Sequence, residues 1–483
     1  MTARAFDAVV IGAGLSGLAA ACYLAKEGKR VLVAEARNKI GGACESAALG
    51  EGFTVPIGAH ALHALDPRMV KELKLAKRGL KFTTRDMALV GLGTGGRHVV
   101  IGRDIHDTVR NIAVHSKADA QAWPAFHDTL FALARAMRPL WWEASAPKPL
   151  SREMAEELER LKRVSAAAWL DSWFESDVLK ATLAFDALSP FEPGSALTLV
   201  WRAAQEMCGL QSAVAWPTGG PAAVADALAT VAKAAGVDIQ TGAEVARIQL
   251  HDEAVAGVEL ASGGTVSAPL VLSSLPRRET LRRLAPSGAA GFETLATLPA
   301  QSAVGAAKVL FTLKSLPPFN GMSVPGTARF ILADRPEVYA AAWSAARAGR
   351  LPDELTVEFV IPTHAEPSLA PLGQHILSAW VRPVPCVMDA AMKTALAAKL
   401  LSALDAHASG LARAVAATQV LSPDDIAKRY GHAEDGGADR LLNGNERIMT
   451  PIAGLYLCGA EPVAAPSGRA GRLAAALALG ASR

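Results

Sequence analysis

Three glycines and one acid near the start of the chain carry the clearest chemistry. In "DAVVIGAGLSGLAAACYLAKEGKRVLVAEAR", Gly12, Gly14 and Gly17 have GxGxxG spacing, and Glu35 lies 18 residues beyond the last of them. Each glycine answers a separate need. Gly12 permits a tight turn, Gly14 lets bare backbone approach a pyrophosphate, and Gly17 lets a helix pack closely on a strand. Ala13 and Ser16 share that turn and count with the glycines as binding residues. A helix starting there aims free N–H groups and the positive end of its dipole at phosphates. Glu35 can accept hydrogen bonds from a ribose 2′-OH and would repel a 2′-phosphate.

The elements that must hold these residues are legible around them. "AVVIG" is an apolar, β-branched run expected to be a buried parallel strand. "LSGLAAACYLAKEG" has helical spacing and stops at Gly28, and "RVLVAE" is a second strand ending on Glu35. Strand, glycines, helix, strand and acid in register point to dinucleotide binding; the glycines alone would not. "ALVGLGTGGRHVVIG" makes the contrast. Gly91, Gly93 and Gly96 repeat the spacing, but a short strand follows instead of a helix. A glycine-rich hairpin is expected there, and no second nucleotide such as NAD(P). After Glu35, "ARNKIGGACES" supplies Gly41 and Gly42, a second backbone approach point that suits a cofactor running on past its pyrophosphate.

Composition sets the frame. The chain has 483 residues, 51% hydrophobic and 20% charged, with a formal net charge of +3. That is a well-packed globular chain of more than one domain with no basic block for nucleic acid. The five cysteines, Cys22, Cys44, Cys208, Cys386 and Cys458, form no CxxC pair, so neither a disulfide framework nor a zinc site is expected, and no metal. The opening residues lack a signal peptide's apolar region, and no run of about 18 apolar residues exists to span a bilayer. A cytoplasmic protein is expected, with peripheral membrane contact left open.

Beyond the front, the sequence resembles the FAD-dependent oxidoreductases related to phytoene desaturases and amine oxidases. The likeness runs through "GAHALHALDPRMVKELKLAKRGLKF", "WPTGGPAAVADALATVAKAAGVDIQTGAEVARI", "VLSSLPRRETLRRLAP", "LSPDDIAKRYG" and "GLYLCGA", in order, over most of the chain. It implies FAD as cofactor. It also implies an α/β fold: a discontinuous Rossmann-type FAD-binding domain from residues 1–115, 214–298 and 415–483. A substrate domain would comprise a helical part, 116–213, and sheet and helices, 299–414. Ser116 and Ser151 are plausible helix caps, and "SREMAEELERLKR" reads as a solvated helix face. Trp123, Trp141, Trp142, Trp169, Trp173, Trp201 and Trp216 crowd one region and read mainly as core, with a few available to line an apolar tunnel.

The resemblance also distributes roles. It adds Ala36, Arg37, Ala43, Gly58, Ala59, His60, Val245 (backbone toward the adenine), Ser274, Gly459, Glu461, Gly468, Arg469 and Ala470 to the FAD-binding residues. The Gly459-Ala460-Glu461 step would put a carboxylate on the ribityl hydroxyls, and Gly468 and Gly471 would open a last helix toward the flavin. His60, Lys308 and Arg469 are the candidates near the chemistry. Against these stand plainer readings: a histidine bonded to backbone, a solvated or paired lysine, a surface arginine. Hydride transfer from an apolar, isoprenoid- or carotenoid-like substrate to flavin N5 is the expected reaction, with electrons leaving to O2, a quinone or another acceptor. C–N oxidation of an amine is the alternative, and a flavin-binding protein with a structural or partner-docking role is a third. The tail "EPVAAPSGRAG" departs from phytoene-desaturase relatives, and its Gly-Ala-Glu stands closer to amine oxidases.

Overall fold

A computed structural model of the chain describes residues 4–142, 151–188, 194–298, 300–322, 326–431, 447–459 and 466–481. Ala8–Ile11 and Val31–Glu35 are buried at every position, because both faces of their sheet are covered. With Asp238–Thr241, Val271–Ser273 and Leu455–Leu457 they form a five-stranded parallel sheet, ordered 238–241, 31–35, 8–11, 271–273, 455–457. Helices Leu15–Lys26, Ala222–Ala234 and Arg469–Ala481 cover one face, where Leu18, Val224 and Ala474 share a core with Val10 and Val33. A four-stranded sheet of Arg4–Ala5, Thr265–Ser267, Ala254–Leu260 and Val245–His251 covers the other, with Ile248 and Val258 against Val9 and Leu32. The nucleotide-binding half is therefore α/β, assembled from separated stretches of chain.

Local signals act where they stand. Gly28 and Gly236 follow their helices with φ of +77° and +83°. Ser116 Oγ accepts from the Asp119 N–H at 3.0 Å, and Ser151 Oγ from Met154 N–H at 3.3 Å. In Arg152–Arg163 only Leu158 and Leu161 are buried, so the charge run is a solvated face.

The other half is a seven-stranded mixed sheet under a helical cap. Its order is Val415–Leu421, Val304–Leu313, His375–Pro385, Val357–Val360, Ala328–Leu332, Ala88–Gly91, Val99–Ile101, antiparallel except between 328–332 and 88–91. Phe311, Phe330 and Phe359 line one face and pack with Leu396 and Leu400 of the helix Ala390–Asp405. In the cap, Trp123, Trp141, Trp169 and Trp201 are buried in one cluster, and the rings of Phe126 and Phe174 meet edge to face at 4.9 Å. Trp173 packs against that cluster and Trp216 is buried elsewhere, as core; the side chain of Trp142 is outside those described.

Two segments differ from the expected division. The 88–101 hairpin falls inside 1–115, and Val415–Leu421 inside 415–483, yet both belong to the seven-stranded sheet. The reason is topological. The 88–101 hairpin pairs with Ala328–Leu332 and Val415–Leu421 pairs with Val304–Leu313, so the partner strands set the two edges of the mixed sheet where these segments lie. The rejected GxGxxG is accordingly a hairpin loop, with Gly95 and Gly96 at φ +61° and +77°.

Candidate cofactor cradle and active site

The first turn is built of contacts that only glycine allows. At Gly12, φ is +91° and a Cβ would stand 2.3 Å from Ser274 Oγ; at Gly17 a Cβ would stand 2.1 Å from Gly12 O. Ser274 donates from both N and Oγ to Ile11 O, at 2.9 and 2.8 Å, so it pins the turn from the neighbouring strand. Gly14 meets nothing nearer than Gly42 Cα, 3.9 Å from where a Cβ would be, and Gly41 N donates to Ala13 O at 2.9 Å. The two glycine segments thus lie backbone to backbone with no side chain between them. The helix Leu15–Lys26 begins with neither a side-chain cap nor an acid in its first turn, so the positive end of its dipole suits an anion. Ser16 opens the same turn.

Glu35 closes this cradle. Its carboxylate, 8% exposed, accepts from Ala13 N–H at 2.7 Å and Arg37 N–H at 2.9 Å. Exposed Ala36 separates the two residues. Ala243 N donates to Glu35 O at 2.8 Å, which brings buried Val245 beside the acid. A main-chain cradle, an uncapped helix start and a buried acid at the strand end fit a dinucleotide with a free ribose.

The next segments are stitched to that cradle. Gly58 lies so close that a Cβ would be 2.1 Å from Ala43 O, which also accepts from Ala59 N–H at 2.7 Å. The Arg37 side chain turns to Glu45, which also accepts from Arg429 Nη1 and Tyr430 Oη, each at 2.8 Å. Burial alone would raise the Glu45 pKa, but bonds from Arg429, Tyr430 and Arg37 hold it below its ordinary value. Cys44 is a buried thiol whose pKa burial pushes up to about 12, a packing residue and no nucleophile.

His60 and Lys308 come together above these segments. Lys308 is fully buried and donates to Gly58 O at 3.0 Å, with Nζ 4.7 Å from the Trp380 ring centre. It is not the solvated lysine of the plainer reading. Burial lowers its pKa far below the ordinary value, with Glu358 opposing, so it favours the neutral amine. His60 is buried and bonds side chains rather than backbone: Nε2 lies 3.0 Å from Glu358 Oε1 and Nδ1 3.3 Å from Ser378 Oγ. Burial lowers its pKa to about 4, so the neutral ring donates from Nε2 to Glu358 and accepts from Ser378. His63 stands edge-on to Trp201 at 6.5 Å, outside this pair.

Glu358 leads to groups that the sequence alone does not assemble. Arg329 Nη2 donates to Glu358 Oε2 at 2.8 Å and to Asp186 Oδ1 at 2.6 Å. Arg382 and Arg202 stand nearby, 3.8 Å from Glu358 and 3.9 Å from Asp186. Cross-strand register places Lys308 opposite Trp380 and Trp380 opposite Glu358, and alternation adds Ser378, Arg382 and Arg329 to that face. The signal was present: "AAKVLFTL", "ARFIL", "TVEFVIP" and "SAWVRP" are buried strands that each carry one charge.

The tail meets the cradle from the other side. Gly459 permits an approach that would put a Cβ 2.1 Å from Ser274 O. Ala460 and Glu461, the expected ribityl acid, lie outside the described residues. Gly468, at φ +74°, leads into the last helix, and Gly471 lets that helix touch the first one, where a Cβ would be 2.0 Å from Ser16 O. Ala470 is buried beside them. Arg469 is no surface arginine: it is 3% exposed, with Nη2 donating to Gln205 Oε1 at 2.9 Å and Nη1 to Trp141 O at 3.4 Å. It ties the tail to the helical cap.

Comparison with known proteins adds an independent line. The family model described as flavin containing amine oxidoreductase matches residues 15–327. Pyridine nucleotide-disulfide oxidoreductase domain-containing protein 2 of Rattus norvegicus is 31% identical, covering 97% of this chain and 92% of its own. A limonene dehydrogenase component of Castellaniella defragrans is 28% identical over 55% of this chain and 49% of its own. Wild-type putrescine oxidase bound to putrescine superposes with a TM-score of 0.66 at 18% identity, covering 99% of both chains, a likeness of fold. Among the described residues, no cluster of His, Cys, Asp and Glu could hold a metal, and no helix is long and apolar enough to cross a membrane.

Proposed function

This chain belongs to the flavin-containing amine oxidoreductase family and is an FAD-dependent oxidoreductase; from that premise we propose that it is a dehydrogenase or desaturase of an apolar, isoprenoid-like substrate, in the manner of the phytoene-desaturase relatives. One observation carries the reading. The acids of the buried charged face, Glu358 and Asp186, are both engaged by Arg329, so a substrate ammonium would find no free counter-ion there among the described residues. The likeness to a limonene dehydrogenase points the same way, since limonene is an apolar isoprenoid.

FAD, when bound, supplies the hydride acceptor. The chain does the rest. Its two glycine segments and first helix would take the pyrophosphate and Glu35 the ribose, with Val245 toward the adenine and Gly459, Gly468, Arg469 and Ala470 on the tail side. Lys308, neutral by burial, would accept the proton that leaves with the hydride when a C=C bond forms. His60, fixed between Glu358 and Ser378, would hold the wall beside it. Electrons would pass on to O2, a quinone or another acceptor, and contact with a membrane surface would suit an apolar substrate.

Anaerobic flavin bleaching across isoprenoid hydrocarbons and alcohols, carotenes and primary amines tests this. Bleaching by isoprenoid-type substrates and not by amines is expected. Bleaching by amines alone would transfer the assignment to C–N oxidation, and a holoprotein reduced by none of them would favour a docking role.

A further inference from the structure

Among the described residues, the charged face does not balance its own charges. Arg202, Arg329 and Arg382 stand against Asp186 and Glu358, three guanidinium groups to two carboxylates. Arg329 engages both acids. Among the described residues, Arg382 makes one long hydrogen bond, Nη2 to Phe185 O at 3.4 Å, and its buried Nε meets no acceptor. Arg202 makes one as well, Nη1 to Ser212 O at 3.4 Å, although its side chain is only 5% exposed. The next acid outward, Asp86, is held by Arg103 at 2.8 Å. Burial lowers the pKa of Arg202 to about 10 and also lowers that of Arg382, because neither cation is fully compensated.

The two arginines flank one step of the chain. Arg382 lies over the Phe185 ring at 4.3 Å and Arg202 lies 3.9 Å from Asp186. Arg382, Asp186 and Glu358 keep 21, 16 and 13% of their side-chain surface accessible, so the cluster is not sealed off. Buried cations left short of acceptors are costly unless something supplies the missing anion. Guanidinium groups present paired donors that match a carboxylate.

We infer that Arg202 and Arg382 form the seat for a carboxylate on the substrate, so that the molecule oxidised is an apolar chain ending in an acid. The excess of one positive charge matches one carboxylate and falls short of a diphosphate. Arg382 shares its sheet face with Lys308 and stands one residue, Glu358, away from His60, with Arg202 reaching in from a cap helix, so the acid end anchors the chain while its apolar part extends toward the cofactor. This rests on the isoprenoid-like reading above.

The test uses the oxidised holoprotein and matched probes: farnesoic acid, its methyl ester, farnesol and farnesyl diphosphate. Binding is read from perturbation of the flavin spectrum and turnover from anaerobic bleaching. The acid is expected to bind at least 10-fold tighter than the ester. In Arg382→Met or Arg202→Met that preference should collapse while ester affinity stays within about twofold. Equal binding of acid and ester by the wild-type protein, which needs no variant, overturns the seat and leaves the isoprenoid reading standing. Tighter binding of the diphosphate overturns the carboxylate assignment. Failure of every probe to bind or bleach overturns both readings.

Discussion

Glu35 is the residue on which cofactor retention should turn. Its carboxylate is gathered by two main-chain N–H groups and sits at the end of the second strand, where a ribose would share it. Hydrogen bonds to a charged group are worth about 1.5–3 kcal/mol, so Glu35→Arg should weaken FAD binding by roughly 10- to 100-fold, measured by titrating apoprotein with FAD. Unchanged affinity would show that the ribose acid lies elsewhere. Glu35 and the glycines were legible because their geometry is local: spacing along one strand, turn and helix fixes it. The Glu358 partnership of His60 was not, because it joins positions 298 apart and depends on which strands become neighbours. Lys308 was half legible. The sequence marked it as the odd residue of its strand, and only packing decided between solvent and the Gly58 carbonyl.

The contact between the first and last helices is a matter of one missing side chain. Gly471 brings the helix Arg469–Ala481 onto Ser16, at the mouth of the cradle. Gly471→Ala has to push the helices apart and should cost about 1–3 kcal/mol, lowering the melting temperature of the holoprotein by a few degrees. Gly480→Ala, in the same helix with nothing within 4 Å of its Cβ, serves as the control and should leave it unchanged or raise it. A Gly471→Ala protein that melts with wild type would refute the close packing. Helix and strand identities near the nucleotide were readable from periodicity and caps. The membership of 88–101 and 415–421 was not, because a short strand does not state in sequence which sheet edge it will meet.

At the scale of the molecule, the buried charged face should make the protein acid-labile. His60 titrates near 6.5 when unfolded and at about 4 when folded, so between those values only the unfolded chain takes up the proton. Stability then falls as pH drops through that window, by about 1.4 kcal/mol per unit from this group. Glu358, held well below its ordinary value by Arg329 and His60 against the opposing pull of burial, adds stability above the usual carboxylate range that is lost on acidification. Lys308, kept neutral by burial, acts in the same sense, since the unfolded chain would bind its proton. Urea midpoints of the holoprotein should therefore decline from pH 7 to pH 5, and His60→Gln should show a shallower decline; equal slopes would remove His60 from the account. The order of the parallel sheet has a consequence for biosynthesis. Val271–Ser273 lies between Ala8–Ile11 and Leu455–Leu457. On a ribosome, its outer edge waits unpaired while about 180 further residues are translated, more than a third of the chain, including most of the mixed sheet. The flavin-binding half is begun first and completed last, so a nascent chain can gain its full grip on FAD only after the other half has been made.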